Sequence, residues 1–275
     1  MSAEVVSPRT GSAIALVRAS HAGPTVAVTV LAAALAVAGG LGPGRVVLVT
    51  AAVLTGQLSI GWCNDLVDHE RDRQVRRSDK PLATGELPLR TVQVACGVAV
   101  VLTVVLSLAC GPGVGLVQLL TVAAGWAYNL GLKSTAFSWA PYAVAFGALP
   151  VFVTLAEPGA GPPAAWVPLA GAMLGVGAHL VNALPDLADD EATGVRGLPH
   201  RLGPRWSPRV AVAVLVAASV LIAVGAGSGV SAGSVVALAL VAALAVAALA
   251  GSGRTPFRAA VGIALVDVVL LVALR

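Results

Sequence analysis

Residues 45–74 read RVVLVTAAVLTGQLSIGWCNDLVDHERDRQ. The run 45–63 is apolar after Arg45, and from Asn64 onward carboxylates and arginines crowd the chain. A hydrocarbon core about 30 Å thick takes about 20 helical residues per crossing. The apolar part is therefore predicted to cross a membrane as a helix, and Asn64–Asp72 to sit where that helix leaves it. Eight more apolar segments follow the same rule: 22–40, 91–110, 114–131, 136–156, 164–184, 207–226, 232–250 and 256–274. Breakers separate them, such as Gly42-Pro43-Gly44 and Gly111-Pro112-Gly113. The expected fold is all-α: one membrane domain over 1–275, with nine helices around a central cavity.

Composition agrees. Of 275 residues 57% are hydrophobic and 11% charged, against about 25% charged in soluble domains. That excludes an ordinary soluble enzyme, and the low charge excludes disorder. Net charge is +4. The basic residues lie between apolar runs, so anionic lipids and a phosphate-bearing substrate are the expected partners, and nucleic acid is not. Cys63, Cys96 and Cys110 are widely spaced in or beside apolar runs and read as packing thiols. The N-terminal stretch has Glu4 and no cleavage site, so it does not read as a signal peptide.

Charge also orients the chain. If the connections alternate sides, 15 of the 17 Lys and Arg residues fall on the side of the N-terminus, leaving Arg45 and Arg275 opposite. The positive-inside rule makes the crowded side cytoplasmic, with the C-terminus outside. The Ala, Val, Gly and Arg content suggests a bacterial cell membrane.

Eleven of thirteen acids share that side, which the inside rule does not explain. They form two motifs, Asn64-x3-Asp68-x3-Asp72 and Asn182-x3-Asp186-x3-Asp190. Steps of four place each trio on one helical face. The motifs are 118 residues apart, and the same offset aligns Pro81 with Pro199 and Gly85 with Gly203. This is an internal repeat, with cytoplasmic loops at 64–90 and 185–206. Like charges four apart repel, and a charge at a helix end near lipid is costly. Mg²⁺ prefers oxygen ligands and often shares carboxylates with substrate phosphates. Two facing clusters make a site for Mg²⁺ around a diphosphate, with Arg76, Arg77, Lys80 and Lys133 positioned to meet phosphate oxygens. A solvated loop of local ion pairs is the plainer reading, weakened by the in-register copies.

These residues resemble a known family. Asn64-Asp65-x-x-Asp68-x3-Asp72 followed by Lys80-Pro81-Leu82-Ala83-x-Gly85, the second motif Asp186-x3-Asp190 with Asn182, and Tyr128-Asn129-x3-Lys133 are similar to the signatures of the UbiA superfamily of intramembrane prenyltransferases. The resemblance implies Mg²⁺-dependent ionisation of an allylic isoprenyl diphosphate and transfer of the chain to a small, aromatic acceptor. It makes Asp65, Asp68, Asp72, Asp186 and Asp190 metal ligands, Asn64 and Asn182 ligands or orienters, and Lys133 and the basic residues diphosphate binders. Members usually carry Arg where this chain has Lys80, and Lys cannot form a bidentate fork.

Seven of eleven aromatics lie within 126–152, among them Tyr128 and Tyr142, as a cation-stabilising wall or an interfacial belt. His179, on the motif face, can accept a proton, orient an acceptor or simply be a bonded core residue. Asp267, deep in the last segment, reads as structural. Arg18 and Arg258 are the guesses for a cation meeting a carboxylated acceptor. A terpene cyclase of the same superfamily would use the same motifs without an acceptor. A transporter is the reading from another class, disfavoured because the acids cluster at helix ends and not at the midplane.

Overall fold

The computed structural model of the chain describes residues 8–184, 187, 194–227, 232–251 and 255–274, and the regular structure among them is helical throughout. Helix α1 (Pro8–Arg18) meets α2 (Ala22–Ala38) at a 71° bend, with His21 at a left-handed φ of 54°. Helix α3 (Pro43–Gln74) has 32 residues. It is about 48 Å long at 1.5 Å per residue, so its last turns project past a 30 Å core. Its final turn carries Arg71 and Arg73, matching the negative end of the helix dipole. A one-turn helix α4 (Pro81–Thr84) leads to α5 (Leu89–Ala109) and α6 (Pro112–Asn129). A 3-10 turn, Leu132–Ser134, precedes α7 (Ala140–Leu155) and α8 (Trp166–Ala183). The chain continues with α9 (Leu198–Gly225), α10 (Ala232–Ala250) and α11 (Thr255–Leu274).

Each of the nine expected apolar segments falls on a helix. Six helices are long and apolar enough to cross a membrane, and a seventh if α1 and α2 count as one bent span. Helix α7 is short, at 16 residues, and contains Pro150. Helix α6 buries Gln118, Thr121 and Asn129, so its polar face turns inward.

The packing is that of a protein built for lipid. Val101 and Val105 on α5 and Val236 and Val246 on α10 are more than half exposed. Gln118, Ser107, Ser219 and Asp267 are buried. Sequential helices pack side by side, and α11 closes back on α2. The Gly171–Gly175 pair lets α8 approach the backbone of α7: a Cβ at either position would lie 2.5 Å or less from a carbonyl oxygen of Phe146 or Tyr142. All three cysteines are buried and free. Arg45 donates to the carbonyls of Cys110 (3.3 Å) and Ala156 (3.1 Å), capping α5 and α7 at one end of the bundle.

The repeat is visible in the backbone. Pro81 and Pro199 each stand in the first turn of a helix, and Gly85 and Gly203 follow with φ of 79° and 75°. Expected to begin at 207, the seventh segment is instead entered from Leu198 through a break at Gly203, whose ψ of 172° contrasts with 8° at Gly85. Pro204 explains the difference, because a residue before proline is pushed out of the helical region.

Candidate active site

At the end of the bundle where α3, α6 and α8 finish and α2, α7 and α9 begin, a cavity of about 510 Å³ opens. Asn64, Asp68 and Asp72 line it from the projecting end of α3, Tyr128 from α6, Tyr142 from α7, and His179 and Asn182 from α8. Lys133, Arg71, Arg77 and Lys80 add cations to its wall.

Asp68 is buried and fully engaged. Lys133 Nζ donates to its two oxygens at 2.5 and 2.6 Å. Arg71 lies 3.2 Å from Oδ2, and Asn64 Nδ2 donates to the same oxygen at 3.2 Å. Asn64 also donates to Asn129 Oδ1 (3.3 Å), whose amide in turn donates to the Ile60 carbonyl (2.9 Å). The turn after α6 thus returns Lys133 to α3, and both members of the pair sit inside the protein.

Asp65 faces another way. It is buried behind the cavity wall, where Lys80 Nζ donates to Oδ1 at 2.6 Å and His21 Nε2 lies 3.1 Å from the same oxygen. Lys80 and His21 are 2.8 Å apart, and Asp65 Oδ2 has no partner among the described residues. On the rim, Arg77 makes two 2.8 Å hydrogen bonds to Asp79, which hold that carboxyl down at about 2. Arg18 pairs with Glu86 at 3.0 Å.

Rings form the other wall. Tyr128 and Tyr142 meet edge to face at 5.2 Å, and His179 lies 4.9 Å from Tyr142 and 5.8 Å from Tyr128. Asn182 is hydrogen-bonded to Tyr142. Ser138 Oγ lies 2.9 Å from His179 Nε2 and accepts the Leu198 backbone N–H at 2.8 Å. Gly197 seats this loop: a Cβ there would lie 2.6 Å from the Lys133 carbonyl and 2.8 Å from Ser138 Oγ.

The structure therefore brings Asn64, Asp68, Asp72, Arg77, Lys80, Tyr128, Lys133, His179 and Asn182 to one cavity. Asp65 stands behind it, and Arg76 is exposed and absent from its lining. Asp186 and Asp190 lie outside the described residues. Arg18 reaches the rim, whereas Arg258 and Asp267 are not in the lining. Asp267 accepts from the Ser219 hydroxyl between α9 and α11, far along the chain from either motif. His21 and Gln57 join the lining unannounced by any motif, and Ser138 supports it from behind through His179; His21 and Ser138 meet partners distant in sequence.

The α3 donors suit a hard divalent cation: two carboxylates and a carboxamide on one face, with an unpartnered carboxylate oxygen on Asp65 beside them. No described group of three acids, histidines or cysteines is close enough to hold a metal alone. A metal here would draw ligands from beyond α3 as well.

Comparison with known proteins places the whole architecture. The chain is 29% identical over 178 residues to the bacteriochlorophyll synthase 33 kDa chain of Cereibacter sphaeroides, an alignment spanning 59% of this chain and 57% of that protein. Its fold matches the UbiA homologue from Archaeoglobus fulgidus bound to GPP and Mg²⁺, with a TM-score of 0.69 at 18% identity, covering 94% of this chain and 99% of that one. It also matches the UbiA homologue from Aeropyrum pernix, with a TM-score of 0.72 at 17% identity over 89% and 95% of the two chains. Residues 25–266 match the UbiA prenyltransferase family, and the chain belongs to that family.

Proposed function

We propose that this integral membrane protein transfers an isoprenyl group from an allylic isoprenyl diphosphate to a small acceptor, with Mg²⁺ as cofactor. One observation carries the reading: a single cavity joins the Asp68 face of α3 and a buried ammonium, Lys133, to a wall of rings. The diphosphate end of a substrate needs cations, and its hydrocarbon end needs apolar walls. The family, and the GPP and Mg²⁺ bound to the archaeal homologue, point the same way.

Asn64, Asp68 and Asp72, with Asp186 and Asp190 from the second motif, would hold Mg²⁺. Asp65, held behind the wall by Lys80 and His21, would join them through its unpartnered Oδ2. Mg²⁺ bound there supplies Lewis-acid stabilisation of the leaving diphosphate. Lys133, Arg71, Arg77 and Lys80 bind phosphate oxygens and neutralise the charge that develops as the C–O bond lengthens. Lys133 must then divide its three N–H donors between Asp68 and phosphate. Tyr128, Tyr142 and His179 wall the carbon chain, exclude water from the allylic cation and offer ring faces to it. The acceptor carbon or oxygen attacks the allylic carbon from that side as the C–O bond to diphosphate breaks, and the proton the acceptor loses passes to the released diphosphate or to water. The charge asymmetry supports a cytoplasmic placement of the motif loops.

Purified protein supplied with geranyl diphosphate should release inorganic diphosphate only when Mg²⁺ is present. Adding aromatic acceptors, with products read by mass spectrometry, should yield prenylated adducts. A cyclic terpene formed without acceptor would reassign the enzyme as a cyclase, and absence of Mg²⁺-dependent diphosphate release would end the proposal.

A further inference from the structure

The hydrogen bonds around Ser138 fix the state of His179. Ser138 is fully buried, and its oxygen already accepts the Leu198 N–H at 2.8 Å. A hydroxyl carries one proton to give. Among the described residues, the acceptor bonded to it is His179 Nε2, at 2.9 Å. Were Nε2 protonated, two donors would converge on Ser138 Oγ and its own proton would be buried without an acceptor, at a cost of about 1–3 kcal/mol. Ser138 therefore donates to Nε2. A neutral imidazole accepting at Nε2 carries its proton on Nδ1. That nitrogen has no hydrogen-bond partner among the described residues, and the ring forms part of the cavity wall.

We infer that His179 presents Nδ1–H to the cavity as a neutral hydrogen-bond donor that orients the acceptor, and that acceptors for this enzyme carry a hydroxyl, carbonyl or carboxylate oxygen. The inference rests on the transferase reading and narrows its substrate class. Its surroundings favour an acceptor oxygen over a phosphate oxygen. The ring is in contact with Tyr128 and Tyr142, while the cations of the site gather around α3. With Nε2 engaged by Ser138, the imidazole in this state is a binding and orienting group and not the base that takes the acceptor's proton.

Nitrogen NMR of the histidine-labelled full chain tests this, with the His179 signals assigned by their loss in His179→Asn. The expected spectrum at neutral pH shows a protonated Nδ1 and an unprotonated Nε2, and Ser138→Ala redistributes that preference. Naphthol should shift the His179 signals, while naphthalene, and Mg²⁺ with inorganic diphosphate, should not. In binding assays His179→Phe should weaken naphthol about tenfold, and His179→Asn, whose amide N–H falls near Nδ1, should keep it within about threefold. A protonated Nε2, an imidazolium, equal responses to naphthol and naphthalene, no response to naphthol, or a response to diphosphate would each overturn the inference. Diphosphate release by the wild-type protein is scored separately, so failure of the transferase reading shows there and not in the tautomer.

Discussion

The two halves of the repeat do the same mechanical job with different chemistry. In each, a helix ends in polar side chains, and farther along the chain a short helical stretch begins near a proline and stops at a glycine of positive φ. In the first half, Lys80 ties that loop back to α3 through Asp65 and His21. At the 118-residue offset, Asp65 corresponds to Ala183 and Lys80 to Leu198. The charge pair is gone, and the backbone N–H of Leu198 does the fastening, through Ser138 to His179. His179 in turn corresponds to Gly61, where a Cβ would lie 2.0 Å from the Ser20 carbonyl. One half has room for a ring facing the cavity, and the other has a backbone crossing in its place. The repeat fixes the skeleton, while the asymmetric filling divides cations on one side from rings on the other.

The strongest test removes the carboxylate at the centre of the first half. Asp68→Asn should lower Mg²⁺-dependent diphosphate release by at least about a hundredfold, and Asp186→Asn should do the same if the halves share one site. Asp68→Asn also strands the Lys133 ammonium in a buried position, which costs about 3–5 kcal/mol. Adding Lys133→Met should return most of the thermal stability and none of the activity. Wild-type turnover in either single variant would dismiss the paired-motif mechanism.

The second test makes the first half imitate the second. Lys80→Leu alone removes the ammonium from buried Asp65 and leaves His21 as its remaining partner among the described residues, a loss of up to about 3–5 kcal/mol. Lys80→Leu with Asp65→Ala copies Leu198 and Ala183, and should recover to within about 1 kcal/mol of the wild type, since removing both members of a buried pair is often nearly neutral. Thermal unfolding in detergent reads both. Equal stability of the single and double variants would show that the pair fastens nothing.

These pairings also mark what could be read in advance. The apolar segments, the Asn64–Asp68–Asp72 face and the Pro–Gly register depend on spacing within one helix or one loop, so the chain displays them directly. Which face of each segment turns inward was not legible: α6 buries Gln118 and Asn129, which a run of apolar letters conceals. His21 and Ser138 were invisible for a different reason. Their partners, Asp65 and His179, stand 44 and 41 residues away, and only the fold creates the contacts. Asp65 looked equivalent to Asp68, but a rotation of about 100° per residue about the helix axis moves it to the edge of the motif face, toward Lys80.

A third test sharpens the comparison at the glycines. Gly85 and Gly203 share a positive φ and have open space around the missing Cβ, so alanine at either position meets no steric neighbour. They differ in ψ. Gly85 is in the left-handed helical region, where alanine costs about 1–2 kcal/mol. Gly203, with ψ 172°, is in a region essentially reserved for glycine. Gly203→Ala should therefore destabilise more than Gly85→Ala, by about 1 kcal/mol or more. The reverse order in thermal unfolding would mean that the break before Pro204 is not required.

The smallest expected effect again separates the halves. Asp79 pairs with Arg77 on the first loop, and its counterpart at the repeat offset is Gly197, which has no side chain to pair. The Asp79 carboxyl sits at about 2 against an ordinary value of 3.8, chiefly because Arg77 donates to it. A folded-state value below the unfolded one means that the pair's contribution is fully present above about pH 4 and is lost as the pH falls through about 2. Asp79 is 60% exposed, so solvent and salt screen the pair and it contributes less than about 1 kcal/mol. Hydrogen exchange should show residues 76–88 loosening between about pH 4 and pH 2 relative to residues 194–203, and Asp79→Asn should erase the difference. Because the pair is exposed, added salt should shrink the effect as well. A first loop whose protection ignores both pH and salt would mean that Lys80 and Asp65 alone hold it, and that the rim pair is decoration on a clasp already closed.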